Sequence, residues 1–327
     1  MRIGRSKQAS RKQRARRRII FATDLHGSEV VFRKFLNAIS VYEADVAILG
    51  GDLTGKRLAP IVRGPTGFDG EVAGGAVHAD DESALGPILE RIRSLGHYPI
   101  VISPDELAAM RADPKLVDRY FERECHLQVA DWMRRAAERL EPLGVPLYVT
   151  GGNDDYLSIE GILDEAEWIT NAEGQVLEVA PGLEMISTGY GNPTPWQCPR
   201  DVSEAELGSR IESMASMLDA SSQAVFNFHV PPFGSGLDRC PKLDTSVSPP
   251  KPITGVEIAA GSTAVSDALR RYEPVLSLHG HIHESAGICE IGHTIAINPG
   301  SEYGEGVLRS AVVDIEDGRV MAQLLSA

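Results

Sequence analysis

The chain has 327 residues, 43% hydrophobic and 24% charged, the make-up of a globular protein able to bury a substantial core. No run reaches the roughly 18 consecutive apolar residues of a membrane-spanning helix, and Cys125, Cys198, Cys240 and Cys289 are scattered without a CxxC pair, against a disulfide framework or zinc knuckle. The net charge of −14 is uneven: nine of the 32 basic residues fall in residues 1–18, which hold no acid, leaving 23 basic against 46 acidic side chains beyond them.

Residues 1–18 are too polar to bury a core of their own, and the expectation is a disordered basic arm. The apolar stretch after it, Ile19 to Ala22, is shorter than the about 7–15 residues of a signal-peptide core, so a cytoplasmic protein with reduced thiols is expected. Residues 19–327 read as a single domain. Ile19 to Thr23 forms a strand, Ser28 to Ser40 has helical spacing at Val31, Phe35 and Ile39, and Val46 to Leu49 is a second strand, together a βαβ unit. A long insertion at about 55–113 opens with a Gly- and Pro-rich stretch, Gly55 to Gly75, expected as a loop. Helices are expected at Asp81 to Ser94 and Pro114 to Leu140, where Leu116, Tyr120, Leu127, Trp132 and Leu140 form a core-facing stripe. Strands follow at Pro146 to Thr150, Gln175 to Val179, Leu183 to Ser187 and Ala224 to His229, then an irregular segment from Pro231 to Pro252. A helix at Ser262 to Tyr272 and strands at Val275 to Leu278, His293 to Ile297, Ser310 to Ile315 and Arg319 to Leu325 complete an α/β pattern.

Five polar clusters rich in metal-binding residue types each follow an apolar strand, and in α/β folds ligands bind at the carboxyl ends of strands. The clusters are Asp24-Leu25-His26, Gly50-Gly51-Asp52, Gly151-Gly152-Asn153-Asp154-Asp155, His229 and His279-Gly280-His281-Ile282-His283. Taken singly, an Asp before a helix can be a cap, a Gly-Asp or Asn-Asp run can be a turn, and a strand-end histidine can be structural. Alternating histidines are the strongest single signal, because neutral imidazoles are the commonest nitrogen ligands. His78, His97, His126 and His293 have no such context and read as surface or structural residues. Arg200, Arg239, Lys56 and Arg57 are loop cations that could reach a phosphate or be merely solvated.

The ordered set Asp-x-His, Gly-Asp, Gly-Asn, His and Gly-His-x-His resembles the calcineurin-like metallophosphoesterase superfamily, over residues 24 to 283; Asn298-Pro299-Gly300-Ser301 is similar to its closing turn. The resemblance implies a four-layer α/β/β/α sandwich of two mixed β-sheets. It implies two divalent metal ions, manganese, iron, zinc or cobalt, the first held by Asp24, His26 and His283, the second by Asn153, His229 and His281, with Asp52 bridging. It further implies hydrolysis of a phosphate diester or monoester by a metal-bridging hydroxide, with Asp52, Asn153, Asp154 and His229 as the catalytic positions.

One position departs from the family: Asp154 stands where a histidine usually helps the phosphate or protonates the leaving group. A carboxylate there would repel phosphate unless protonated or turned away, which leans the expectation toward diesters; His279 or a metal-bound water is a candidate substitute. Two other readings stay open, a catalytically silent binding scaffold and, ranked lower because the body is acidic, a nucleic-acid-processing enzyme tethered by its arm.

Overall fold

The computed structural model describes residues 16–220 and 223–327. Residues 1–15 of the expected arm lie outside the described residues. Arg16 to Arg18 are not arm but the start of β1 (Arg16–Ala22), because the Arg18 guanidinium is held by both oxygens of Asp314 at 2.8 and 2.9 Å and by the Tyr42 carbonyl. After β1 come α1 (Glu29–Val41) and β2 (Val46–Leu49). Helix α1 buries Val31, Phe32, Phe35, Leu36 and Ile39, a spacing that lays one stripe on the sheet.

The insertion is more ordered than expected. Where a loop was read, β3 (Arg57–Gly64) and β4 (Gly67–Val72) pair, followed by β5 (Gly75–Ala79), α2 (Glu82–Ser94), β6 (His97–Ile102) and α3 (Pro104–Ala112). They form a four-stranded sheet ordered β5-β4-β3-β6. Its glycines and Pro60 hid these strands, whose partners lie elsewhere in the chain: Pro60 stands opposite Ile100 in the parallel β3–β6 pair. Caps are local, with Asp81 accepting from the Ala84 N–H and a Ser103–Glu106 capping box starting α3.

Helix α4 (Pro114–Leu140) has the expected bounds, but its buried stripe is Cys125, Val129, Trp132, Met133, Ala136 and Leu140. Leu127, expected in that stripe, faces solvent, since the register that packs Trp132 flat on Phe32 at 4.3 Å turns it outward. Then follow β7 (Leu147–Val149), α5 (Ile159–Glu165), β8 (Ile169–Asn171), β9 (Val176–Ala180), β10 (Leu183–Thr188), α6 (Glu204–Ala215) and β11 (Gln223–Phe228). The segment read as irregular contains β12 (Arg239–Asp244), paired with β13 (Lys251–Ala259) in a projecting hairpin. The chain ends with α7 (Thr263–Tyr272), β14 (Leu276–Leu278), β15 (Gly287–Ile291), β16 (Thr294–Asn298), β17 (Arg309–Glu316) and β18 (Arg319–Ser326).

Two six-stranded mixed sheets organise these elements, ordered β18-β17-β1-β2-β7-β8 and β15-β16-β14-β11-β10-β9. In each, the central strands run parallel and the outer pairs β1–β17 and β10–β9 are antiparallel. The strand period of two sorts the side chains between faces. In β1 and β2, Ile20, Ala22, Ala47 and Leu49 join α1 and α4 in one apolar cluster, while Ile19, Phe21, Val46 and Ile48 face the second sheet in another. A third cluster sets Phe226 and Phe228 against α6 and α7. The α/β class with two mixed sheets is thus the observed one, and no helix among the described residues is long and apolar enough to cross a membrane.

Ile48 is fully buried between the sheets. Ile48→Ala should destabilise the protein by about 2–5 kcal/mol, whereas Met321→Ala, on the exposed end of β18, should stay within about 0.5 kcal/mol. Urea titration followed by circular dichroism checks both; equal midpoints would contradict the packing described.

Candidate metal centre

Strands β1, β2, β7, β11 and β14 all end at one edge, and the five polar clusters follow them there. Backbone hydrogen bonds join the loops beyond the sheets: Asp24 N–H to Gly51 O, His26 N–H to Asp52 O, and Gly280 N–H to His229 O, at 2.8–2.9 Å. Asp24, His26, Asp52 and His281 all sit at positive φ, between 42° and 65°, conformations that cost a non-glycine residue about 1–3 kcal/mol each. Gly152 has no such choice, because a Cβ there would lie 2.1 Å from Asp52 Oδ1.

The expected ligands converge. Asp52 faces two imidazoles with its two oxygens, Oδ2 at 3.5 Å from His26 Nε2 and Oδ1 at 3.4 Å from His229 Nε2. His283 Nε2 lies 3.2 Å from Asp24 Oδ1 and 3.1 Å from His26 Nε2. Asn153 Oδ1 and His281 Nδ1 are 2.9 Å apart. Asp24, His26 and His283 form one group able to hold a cation; Asp24, Asp52 and His229 form a second, so Asp24 stands beside both positions. A third group joins His26 and Asp52 to Asp154.

Two observations fit a cation. His229 Nε2, which faces Asp52 and Asp24, is buried without a hydrogen-bond partner, a state that costs about 1–3 kcal/mol unless something ligates it. His229 also presents that nitrogen in a fixed direction, since its Nδ1 is 2.9 Å from the Gly50 carbonyl. Moreover, Asp24 and Asp52 are both buried and both held below the usual carboxylate range. Burial opposes their ionisation, but hydrogen bonding and charge from His283 outweigh it at Asp24, and the charge of His229 does so at Asp52. At His229 burial again opposes charge, yet Asp52 and Asp24 raise the imidazole to about 9. Burial drives His281 down to about 4, the neutral form that ligation requires.

The other polar residues divide clearly. Asp154 ion-pairs with Lys56 from the start of the insertion, and its N–H donates to Asp52 Oδ1 at 3.1 Å. The carboxylate that would repel phosphate is therefore compensated by an ammonium, which sequence reading left ambiguous because 98 residues separate the partners. His279 is no substitute acid: Ser277 lies 2.8 Å from its Nε2, and the Phe228 and Val230 carbonyls lie at its Nδ1. Arg200 does not reach the site face either; it is fully buried, donating to the Asp155 and Tyr156 carbonyls and to Glu160. Arg239 pairs with Glu257 on the exposed hairpin. His78, His97, His126 and His293 take no part in the donor groups.

Several supporting residues receive no role of their own from the sequence. Asp155 accepts from the Leu53, Thr54 and Gly152 N–H groups, tying two loops together. Asp201 accepts from Asn153 Nδ2 and so turns its oxygen toward His281. Tyr303 places its ring 4.6 Å from that of His26. In the closing turn, the Asn298 amide donates to the Gly280 and Ile282 carbonyls, and Ser301 Oγ donates to Asp24 O.

No protein-family model matches the chain. An uncharacterized protein of Methanocaldococcus jannaschii, MJ1162, is 24% identical over 176 residues, covering 53% of this chain and 70% of that protein. One solved structure superposes with a TM-score of 0.55 at 18% identity, over 94% of this chain and 98% of its own. TT1561 of Thermus thermophilus does so with a TM-score of 0.52 at 13% identity and the same coverage. An archaeal phosphodiesterase structure reaches only 0.36 at 11% identity, over 94% of this chain and 99% of its own. These superpositions show a shared mixed α/β fold.

Since ligation needs a neutral His229, manganese affinity should rise with pH toward about 9 and binding should release protons. Calorimetric titrations in two buffers of different ionisation enthalpy measure both. Asp52→Asn should weaken binding by about 10- to 100-fold or more; an affinity independent of pH and of this substitution would contradict the site.

Proposed function

We propose that the protein is a metal-dependent phosphoesterase, acting on a phosphate diester or monoester, with two divalent ions held by Asp24, His26, Asp52, Asn153, His229, His281 and His283. The single observation that carries the reading is Asp52, whose two oxygens each face a different imidazole across a buried, partly orphaned donor set. Oxygen and imidazole donors without thiolate suit manganese, iron, zinc or cobalt. When bound, such a pair supplies a nucleophile from water near neutral pH and neutralises charge on the phosphoryl group.

The chain's own residues do the rest. Asp24 and Asp52 provide the negative charge that gathers the ions, and Asn153 contributes a neutral oxygen where another carboxylate would overload the site. Fixed by Asp201 and by the loop-to-loop bonds, these groups keep their geometry without a substrate. In hydrolysis an oxygen from water bonds to phosphorus, the ester P–O bond breaks, and the leaving oxygen takes up a proton. Lys56, oriented by Asp154, is the nearest cation for the phosphoryl charge or that departing oxygen. The absence of an imidazole at position 154 favours diesters or other esters whose leaving group needs little protonation. Pairing with Lys56 also removes the main argument for a silent scaffold, because Asp154 no longer presents a bare negative charge to phosphate. A cytoplasmic location fits the unpaired cysteines.

Manganese-loaded protein should hydrolyse bis-p-nitrophenyl phosphate faster than p-nitrophenyl phosphate, and Asp52→Asn should lower kcat by about 100-fold or more. Metal uptake without turnover of either ester would sink the hydrolase reading. Lys56→Ala should lower kcat/KM by about 10- to 100-fold, an electrostatic contribution of roughly 1.4–2.7 kcal/mol, with metal content unchanged; steady-state kinetics beside elemental analysis checks this.

A further inference from the structure

Beside the candidate metal centre, β3, α3 and α4 enclose an open cleft of about 530 Å³. Its floor is apolar, formed by Leu58, Leu107, Met110, Val117 and Phe121. Three cations, Lys56, Arg57 and Arg111, border it against a single acid, Asp118. Among the described residues neither Arg57 nor Arg111 forms an ion pair. On a chain of net charge −14, three cations around an apolar floor are a local reversal of sign suited to an anion with an apolar body.

One lining residue, Lys56, links the cleft to the metal centre. It pairs with Asp154, whose N–H in turn donates to Asp52. Phe121 also packs against Tyr156, at 6.0 Å between ring centroids, on the loop that carries Asn153, and against Tyr98 at 5.5 Å. The Tyr98 hydroxyl accepts from Gly55 N–H and donates to Gln128, which holds the Gly27 carbonyl, so insertion, α4 and metal-site loops form one connected wall. A cleft of about 300–1,000 Å³ takes a group the size of a fused aromatic ring system or a nucleoside. Another depression, about 350 Å³ between α6 and α7, is bordered by Glu204, Glu212 and Asp267 and by helices that contribute no site residue.

Resting on the phosphoesterase reading, we infer that this cleft is the leaving-group subsite, and that the substrate carries an aromatic or alkyl body with a second anionic group on the far side from the scissile phosphate. Lys56 then serves the reacting phosphate, while Arg57 and Arg111 receive the distal anion.

The test compares manganese-loaded full-length wild type, Arg111→Glu and Val117→Trp on phenyl phosphate, naphthyl phosphate and carboxynaphthyl phosphate, with thermal melts to show that each variant folds. Wild type should prefer the carboxynaphthyl over the naphthyl ester in kcat/KM. Arg111→Glu should lower that ratio about tenfold, since reversing a charge at a binding rim is worth about 1.4 kcal/mol or more. Val117→Trp, which fills the cleft, should lower the naphthyl-to-phenyl ratio by a similar factor. Direct fluorescence titration with a carboxynaphthyl phosphonate should show the same weakening in Kd. Ratios and Kd unchanged in both variants, with phenyl phosphate still hydrolysed, would overturn the subsite and leave the phosphoesterase standing. Failure of folded, metal-loaded wild type to hydrolyse the three esters and bis-p-nitrophenyl phosphate alike would overturn the phosphoesterase reading and the subsite with it, whereas turnover of the diester with no measurable binding of the carboxynaphthyl phosphonate would overturn the subsite alone.

Discussion

Two carboxylates, Asp24 and Asp52, are buried together where the parallel strands end, and nearly every polar feature of the molecule follows from keeping them ionised there. Buried charge without a partner is expensive, so the surroundings must supply positive charge or hydrogen bonds. The chain does so with His229 and His283 at the carboxylates, with the His281 N–H on both oxygens of Asp24, and with the Asp154 N–H on Asp52. The demand for cations at this edge is also what fits its donor groups to hold metal ions.

Bringing the carboxylates together has a backbone consequence. Four ligand-position residues adopt left-handed conformations, and such strain persists only where neighbouring structure over-determines it. Here the over-determination comes from hydrogen bonds that continue from strand to strand past the sheet edge, and from Asp155, which clamps the second loop to the third. The fully buried core beneath, with apolar residues on both faces of β1 and β2, supplies the rigid platform on which that strain can be held.

The insertion adds what the metal-site loops lack. Its Lys56 compensates the unusual Asp154, and its sheet and α3 complete a cleft against α4 whose charge opposes that of the chain as a whole. Metal chemistry would come from the strand ends, while selection among esters would come from the insertion. On that division, the Asp154 carboxylate is compensated by a residue from a different part of the chain.

Much of this was legible in the sequence. The strands flanking Asp24, Asp52, Asn153, His229 and His281 stand out because each is a short apolar run with both faces buried, and α2, α4 and α7 because their caps and periodicity are local signals. The candidate ligands could be named because a Gly-His-x-His run and four weaker clusters share one positional rule. The strands β3, β4 and β12, by contrast, are rich in Gly, Pro or charge and exist through distant partners, so propensity pointed to loops. The Lys56–Asp154 pair, the burial of Arg200, the enclosure of His279 and the cleft under Phe121 were likewise invisible, each depending on which side chains meet across 40 residues or more. Sequence by itself determined the repeated strand-then-donor pattern, because hydrophobic period and residue chemistry are written along the chain; tertiary structure alone decided which charges are paired and where the cleft opens, because those are distances between segments that no local pattern encodes.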